Sequence, residues 1–218
     1  MDISENIQDL KKELPEGVTL VAISKTKPNE DIMEAYKTGH RIFGENKAQE
    51  MTGKWEELPK DIEWHMVGHL QRNKVKYIAP YVSLIHSVDS PRLLKEVNKQ
   101  ARKEERIINC LLQVKIAEED SKYGLSMDET EALLASEKFK SYNYITVIGL
   151  MGMATFTDDK EQLQREFGSL EKFYNKLKDQ YGFTQLSMGM SGDYQIAINH
   201  GSTMVRVGSA IFGERNYS

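Results

Sequence analysis

Short apolar runs alternate along the chain with longer stretches whose apolar residues recur at helical spacing. Ile3, Ile7, Leu10 and Leu14 make a helical stripe over residues 2–14 that stops at Pro15 and Gly17. The run from Val18 to Ile23 is too short and too β-branched for a helix and reads as a strand delivering Ser24 and Lys25, with Pro28 as its stop. Asn29 is expected to cap the next helix, Glu30 and Asp31 fill its first turn, and Gly39 closes it.

The alternation then repeats. Strands are expected at Arg41–Phe43, Glu63–Val67 and Val82–His86, with a helix through Ala48, Met51 and Trp55 and a basic helix from Leu70 to about Ala79. Ser90-Pro91 opens a helix that carries Leu93, Leu94, Val97 and Ala101 inside. A strand at Ile107–Val114 is followed by a polar loop, Glu118 to Gly124, and by a capping box of Ser126 and Glu129. After a strand at Tyr144–Leu150 comes the longest amphipathic helix, with Leu163, Phe167, Leu170, Tyr174 and Leu177 on one face and Gly182 as its stop. Gln185–Ser187 and Thr203–Val207 are the last strands, and Ser191–Asn199 is a helix between them.

This amounts to roughly eight strand–helix units, the pattern of a closed parallel (β/α)8 TIM barrel with an extra N-terminal helix. An open doubly wound sheet is the alternative. No linker or low-complexity stretch divides the chain, so residues 1–218 are expected to form one domain.

Composition narrows the function. With 39% hydrophobic and 28% charged residues the chain is an ordinary globular one, and 218 residues bury a core without disulfides or metal. A net charge of −4 argues against bulk-charge binding of nucleic acid. Lys99, Arg102, Lys103 and Arg106 do cluster, but interspersed Glu96, Glu104 and Glu105 make a solvated helix face the better reading. The single cysteine, Cys110, lies in an apolar run and reads as an inert core thiol. The acidic N-terminus lacks the features of a signal peptide and no run is long enough to span a membrane, so a cytoplasmic location is expected.

Candidate chemistry collects after the strands, where a parallel barrel opens its active face. A lysine at the mouth of a buried strand loses solvation, and a neighbouring cation lowers its pKa further; both make an amine fit to form a Schiff base with an aldehyde. Lys25, with Lys27 close by, meets both conditions, although both lysines could instead snorkel to solvent. Met188 to Asp193 ahead of a helix, and Val207 to Ala210 after the last strand, offer hydroxyls and backbone N–H groups to a phosphate, with Ser191 as a plain N-cap the alternative. Arg206, inside an apolar run, must pair with a carboxylate such as Glu45 or Glu214 or face a heteroaromatic nitrogen. His69 and His86 are expected at loop mouths, His65 within the core, and His40 and His200 at helix C-termini. Ser121 and Lys122 also follow a strand. No zinc-spaced pair, catalytic triad or Walker-type loop is present.

Several segments together carry a family resemblance. They are Val21 to Pro28, Phe43 to Asn46, Trp64 to Lys74, His86 to Ser90, Gly149 to Met151, Leu186 to Ser191 and Gly201 to Arg215. In this order, end to end, they resemble the pyridoxal phosphate homeostasis protein family, relatives of the N-terminal barrel of alanine racemase. The resemblance implies a fold-type III barrel carrying pyridoxal 5′-phosphate (PLP) as an internal aldimine on Lys25 rather than Lys27. It implies that Ser191, Gly208 and Ser209 hold the phosphate, that Arg206 faces the pyridine nitrogen, and that Asn46, His86 and Ser187 belong to the cofactor site. Gly192 stands where many relatives carry an acid, and Lys115 where many carry asparagine.

Related racemases carry a second, β-rich domain with an opposing base, and this chain stops just past the last barrel strand. The expectation is therefore a monomeric, non-catalytic carrier in PLP (vitamin B6) homeostasis, buffering or delivering cofactor to apo PLP-dependent enzymes. Neither nucleic acid nor membrane is an expected partner. The competing expectation is a small racemase-like enzyme.

Overall fold

Within the described residues, 2–119 and 123–213 of a computed structural model, eight strands pair in parallel in chain order and close on themselves. They are β1 (Thr19–Ile23), β2 (Ile42–Glu45), β3 (Glu63–Met66), β4 (Leu84–Val88), β5 (Ile108–Gln113), β6 (Ile145–Met151), β7 (Gln185–Met190) and β8 (Met204–Val207). Closure is made by β8 against β1, with Thr19 opposite Met204 and Val21 opposite Arg206. The barrel expected from the strand count is the one observed.

The helices wrap the outside. α1 (Ile3–Glu13) starts at Asp2, whose carboxylate accepts from the Glu5 N–H, and buries Ile3, Ile7 and Leu10. Then come α2 (Asn29–Lys37), α3 (Ala48–Glu57), α4 (Val75–Ile78), α5 (Pro91–Lys103), α6 (Met127–Ala135) and α7 (Glu137–Lys140). The chain ends with α8 (Lys160–Tyr181), α9 (Tyr194–Asn199) and α10 (Ser209–Phe212). The Ser126–Glu129 capping box opens α6 as expected, and Gly182 ends α8 in the left-handed region at φ 67°.

Two apolar layers hold the assembly. Val21, Leu84, Leu111, Met151 and Met204 fill the barrel interior, while a larger cluster lies between strands and helices. Gly149 lets β6 and β7 approach: a Cβ there would stand 1.7 Å from the Gln185 carbonyl oxygen.

Several boundaries differ from those expected. Asn29 is the first residue of α2 rather than its cap; Pro28 takes the cap position, and the Asn29 amide donates instead to Glu57. The basic helix expected over 70–79 is a 3-10 turn at Arg72–Lys74 leading into a single turn, α4. The fourth strand lies two residues later than expected, at Leu84–Val88, and the seventh continues to Met190. Consequently α9 starts at Tyr194, with Asp193 at its cap, so Ser191 is not a helix cap.

Candidate functional site

At the C-terminal ends of the strands lies a cavity of about 950 Å³. Lys25 and Lys27 enter it after β1, Asn46 after β2, and His69 after β3. Ser191 enters after β7, and Arg206, Gly208 and Ser209 from β8. A cleft of similar size on the barrel flank holds none of these residues. Chemistry, not volume, selects the first.

The two lysines are differently employed. Lys27 Nζ donates to the carbonyls of Phe212 (2.8 Å) and Gly213 (3.2 Å), tying the end of α10 to the turn after β1. Half-buried Lys25 lies between two anchored neighbours. On one side the Ser24 hydroxyl donates to Glu45 Oε1 (2.6 Å). On the other, the Thr26 N–H donates to Glu50, and Thr26 sits at φ 64°, a region costly for a β-branched residue. Lys54 joins the two sides. Its ammonium donates at 2.8 Å to each of Glu45, Glu50 and the Ser24 carbonyl, which uses all three of its protons. Glu45 is fully buried, which raises its pKa, and Lys54 opposes the shift. Nothing in the chain's pattern marks Lys54, which on α3 looks like any solvated lysine.

Arg206 is buried, and its guanidinium donates to the Ser187 hydroxyl (2.5 Å) and the Gly152 carbonyl (3.0 Å). Desolvation lowers its pKa to about 10 and Asp193 opposes the shift, so it stays a cation at neutral pH. Glu45, expected as a partner, is committed to Lys54 instead. Because arginine only donates, the Ser187 oxygen accepts from it, and the same hydroxyl lies 2.8 Å from His86 Nδ1. His86 Nε2 lies 3.0 Å from His65 Nδ1. Arg206, Ser187, His86 and His65 thus form one hydrogen-bonded chain running below the cavity.

Both rings are neutral. Burial depresses His65 to about 3 and His86 well below the ordinary imidazole value, with Arg206 adding to the latter. His40, hydrogen-bonded to the Ile42 carbonyl rather than capping a helix, is depressed from 6.5 to about 4, again chiefly by burial. The unfolded chain therefore binds more protons than the folded one between about pH 6.5 and 4, and stability is expected to fall as pH drops through that window. Glu45, with its raised pKa, acts in the opposite sense, one carboxyl against three imidazoles. Urea midpoints measured across the window check this; a midpoint that holds or rises on acidification would overturn the neutral, buried assignment.

Of the residues expected at the site, Lys25, Asn46, Ser191, Arg206, Gly208 and Ser209 share the cavity wall. His86 and Ser187 do not reach it. Because β4 runs to Val88, His86 lies mid-strand and fully buried, beneath the cavity rather than at a loop mouth. His69 is at the rim, stacked on Tyr123 with ring centroids 4.1 Å apart and bonded to Asp89. The two loops read as anion sites are joined, since the Gly208 N–H donates to Ser191 Oγ at 3.2 Å. His200 ends α9 as expected and bonds Glu171. Cys110 is buried, and desolvation pushes its thiol up to about 12. Ser121, Lys122 and Glu214 lie outside the described residues.

The rim has a fixed part. Glu166, 2% exposed, accepts from the Thr155 N–H and hydroxyl, the Glu118 N–H and the Gln162 amide. It thereby clamps the loops after β5 and β6, and the latter presents Phe156 to solvent.

A PLP-sized anion with an aldehyde fits these walls. Asn46 lines the cavity, and its buried Oδ1 has no hydrogen-bond partner, an orphaned polar group at the wall. Gly192 leaves open space beside Ser191. Among the described residues, no cluster of three or more His, Cys, Asp or Glu side chains suits a metal, and no helix is long and apolar enough to cross a membrane.

Comparison with known proteins places the chain in a family. Residues 2–216 match the family described as alanine racemase, N-terminal domain. The pyridoxal phosphate homeostasis protein of Aquifex aeolicus is 38% identical over 201 residues, covering 91% of this chain and 87% of that protein. PipY of Synechococcus elongatus, solved with PLP bound, is 34% identical with a TM-score of 0.88, over 97% of this chain and 100% of that one. Alanine racemase from E. faecalis shares the fold at 17% identity and a TM-score of 0.76, over 99% of this chain and 58% of that one.

Proposed function

Since the chain belongs to the alanine racemase N-terminal domain family, and within it to the pyridoxal phosphate homeostasis proteins, we propose that it binds PLP through Lys25 and carries it as a releasable cofactor. One observation supports this most directly. Lys25 and Arg206 reach one cavity from β1 and β8, two hydrogen-bonded strands, beside the joined loops of Ser191 and Gly208.

PLP supplies an aldehyde that an amine captures reversibly and a pyridine ring that serves as an electron sink. The Lys25 amine is the capturing group, held in place by the anchored Ser24 and Thr26. The Ser191 hydroxyl and the Ser209 N–H would hold the phosphate, with the Gly208 N–H bracing that hydroxyl. Arg206 and Asn46, which line the same cavity, would hold the ring nitrogen and the ring. His86 and Ser187 act from below by orienting Arg206. Because Arg206 is already a cation and gives up no proton near neutrality, it would leave a ring nitrogen held there unprotonated. That weakens carbanion stabilisation and suits holding and release.

In this reading residues 1–218 work as one cytoplasmic, monomeric domain that buffers PLP or hands it to apo-enzymes. The test is a visible spectrum of the protein with PLP, before and after borohydride, with mass mapping of the reduced adduct. A yellow species that reduction locks onto the peptide containing Lys25 is expected. Absence of an adduct, or labelling only of Lys27 and surface lysines, would sink the proposal. Racemisation of an amino acid that depends on Lys25 would replace carrier by enzyme.

A further inference from the structure

The flank cleft, about 980 Å³, lies between α5 and the α6–α7 pair. Arg72, Arg92, Lys95, Lys99 and Lys138 line it, against two carboxylates, Glu96 and Glu129. Both carboxylates are already engaged. Glu129 closes the capping box on the Ser126 N–H, and Glu96 accepts from Gln100 at 2.6 Å with Lys99 at 3.9 Å. Among the described residues, Arg72, Arg92, Lys95 and Lys138 have no ion pair. In a chain of net charge −4, this is a concentration of cation that the cofactor site does not use.

The floor is apolar. Leu125 and Leu133 are buried beneath it, and Phe139 and Tyr142 are half-buried in its wall. The cations stand in a line rather than converging. Arg92, Lys95 and Lys99 repeat at helical spacing along one face of α5, and Arg102 continues the row, for about 15 Å in all. Lys138 stands on the facing rim. A lone phosphate or carboxylate needs donors that close on one point, whereas a row beside an apolar trough suits an extended ligand. Two half-buried rings make no stacking platform for bases.

We propose that this cleft is a docking site for an acidic amphipathic segment of a partner protein, its apolar side in the trough and its carboxylates along the α5 row. The solvated helix face read from the sequence is thus one rim of a groove. The location adds a consequence. Leu125 on the cleft floor is two residues from Tyr123 on the rim of the Lys25 cavity, so a docked partner sits beside that mouth. The docking site itself does not depend on what Lys25 binds.

The probe is a labelled helical peptide about four turns long, glutamate on one face and leucine on the other, followed by fluorescence anisotropy. Binding is expected to weaken as salt rises, and about tenfold or more in the Lys95→Glu/Lys99→Glu double variant. Ala132, exposed on the cleft wall, allows a second variant: Ala132→Trp fills the trough without changing charge and is expected to weaken binding comparably. Borohydride trapping of PLP on Lys25 stays at the wild-type level in both variants, which separates this proposal from the cofactor reading. Sensitivity to charge reversal with no response to Ala132→Trp would overturn the cleft as the site. Failure of the peptide to bind would also overturn it, as would a single-stranded oligonucleotide binding the cleft in its place.

Discussion

Exchanging Lys25 for arginine is expected to remove the borohydride-trapped PLP adduct completely, while Lys27→Ala keeps it. Lys25→Arg retains the positive charge but presents a guanidinium, which does not condense with an aldehyde. The phosphate loops after β7 and β8 remain, so the variant is expected to bind PLP more weakly and without the yellow absorbance. Lys27 Nζ, by contrast, is turned to the carbonyls of Phe212 and Gly213. Its removal loosens the end of α10, by about 1 kcal/mol for a partly exposed charged hydrogen bond, and leaves the capturing amine in place. Mass spectrometry of the reduced protein reads both outcomes. An adduct that persists in Lys25→Arg and disappears in Lys27→Ala would reverse the assignment.

Lys54→Met is expected to be the most destabilising single exchange near the site, by about 3–5 kcal/mol, because it strands a buried carboxylate. Glu45 is fully buried and Lys54 8% exposed, and the ammonium satisfies Glu45, Glu50 and the Ser24 carbonyl together. Without it Glu45 must either stay charged in a dry site or take up a proton. The deficit relative to the parent should therefore shrink as pH is lowered and Glu45 is neutralised. The double variant Lys54→Met/Glu45→Gln should recover much of the loss, since it removes the charge with its partner. Urea unfolding of the parent and the two variants measures this. A loss under about 1 kcal/mol would mean that the pair is solvated after all.

The barrel was legible because its signal is repetitive. Apolar runs such as Ile107 to Val114 and amphipathic stripes such as Leu163 to Leu177 recur in strict alternation, and each carries its own stop. Boundaries failed where polar residues sit in buried strand positions. His86 and Ser87 look like the start of a loop, yet both lie within β4 with no exposure, because Ser187 and His65 receive the ring from strands far away in sequence. The helix expected over 70–79 failed for a different reason. Its pattern of charges suits a helix, but the chain makes a 3-10 turn before burying Val75 and Ile78. Within the site, Lys25, Asn46, Ser191, Arg206, Gly208 and Ser209 were readable because parallel strands deliver their next residues to one face. Lys54 was not, since only packing of α3 against the end of β1 takes it out of water.

The seam between β1 and β8 sets when the pocket exists. Translation delivers Lys25 well before Arg206, Gly208 and Ser209, which stand on the other side of that seam. Until β8 docks against β1, the lysine has neither the Arg206 guanidinium nor the joined Ser191 and Gly208 loops beside it. A nascent chain stalled before Met204 thus exposes Lys25 without the other wall of its cavity. Any ligand that needs both walls of the cavity is therefore taken up only once β8 has joined β1.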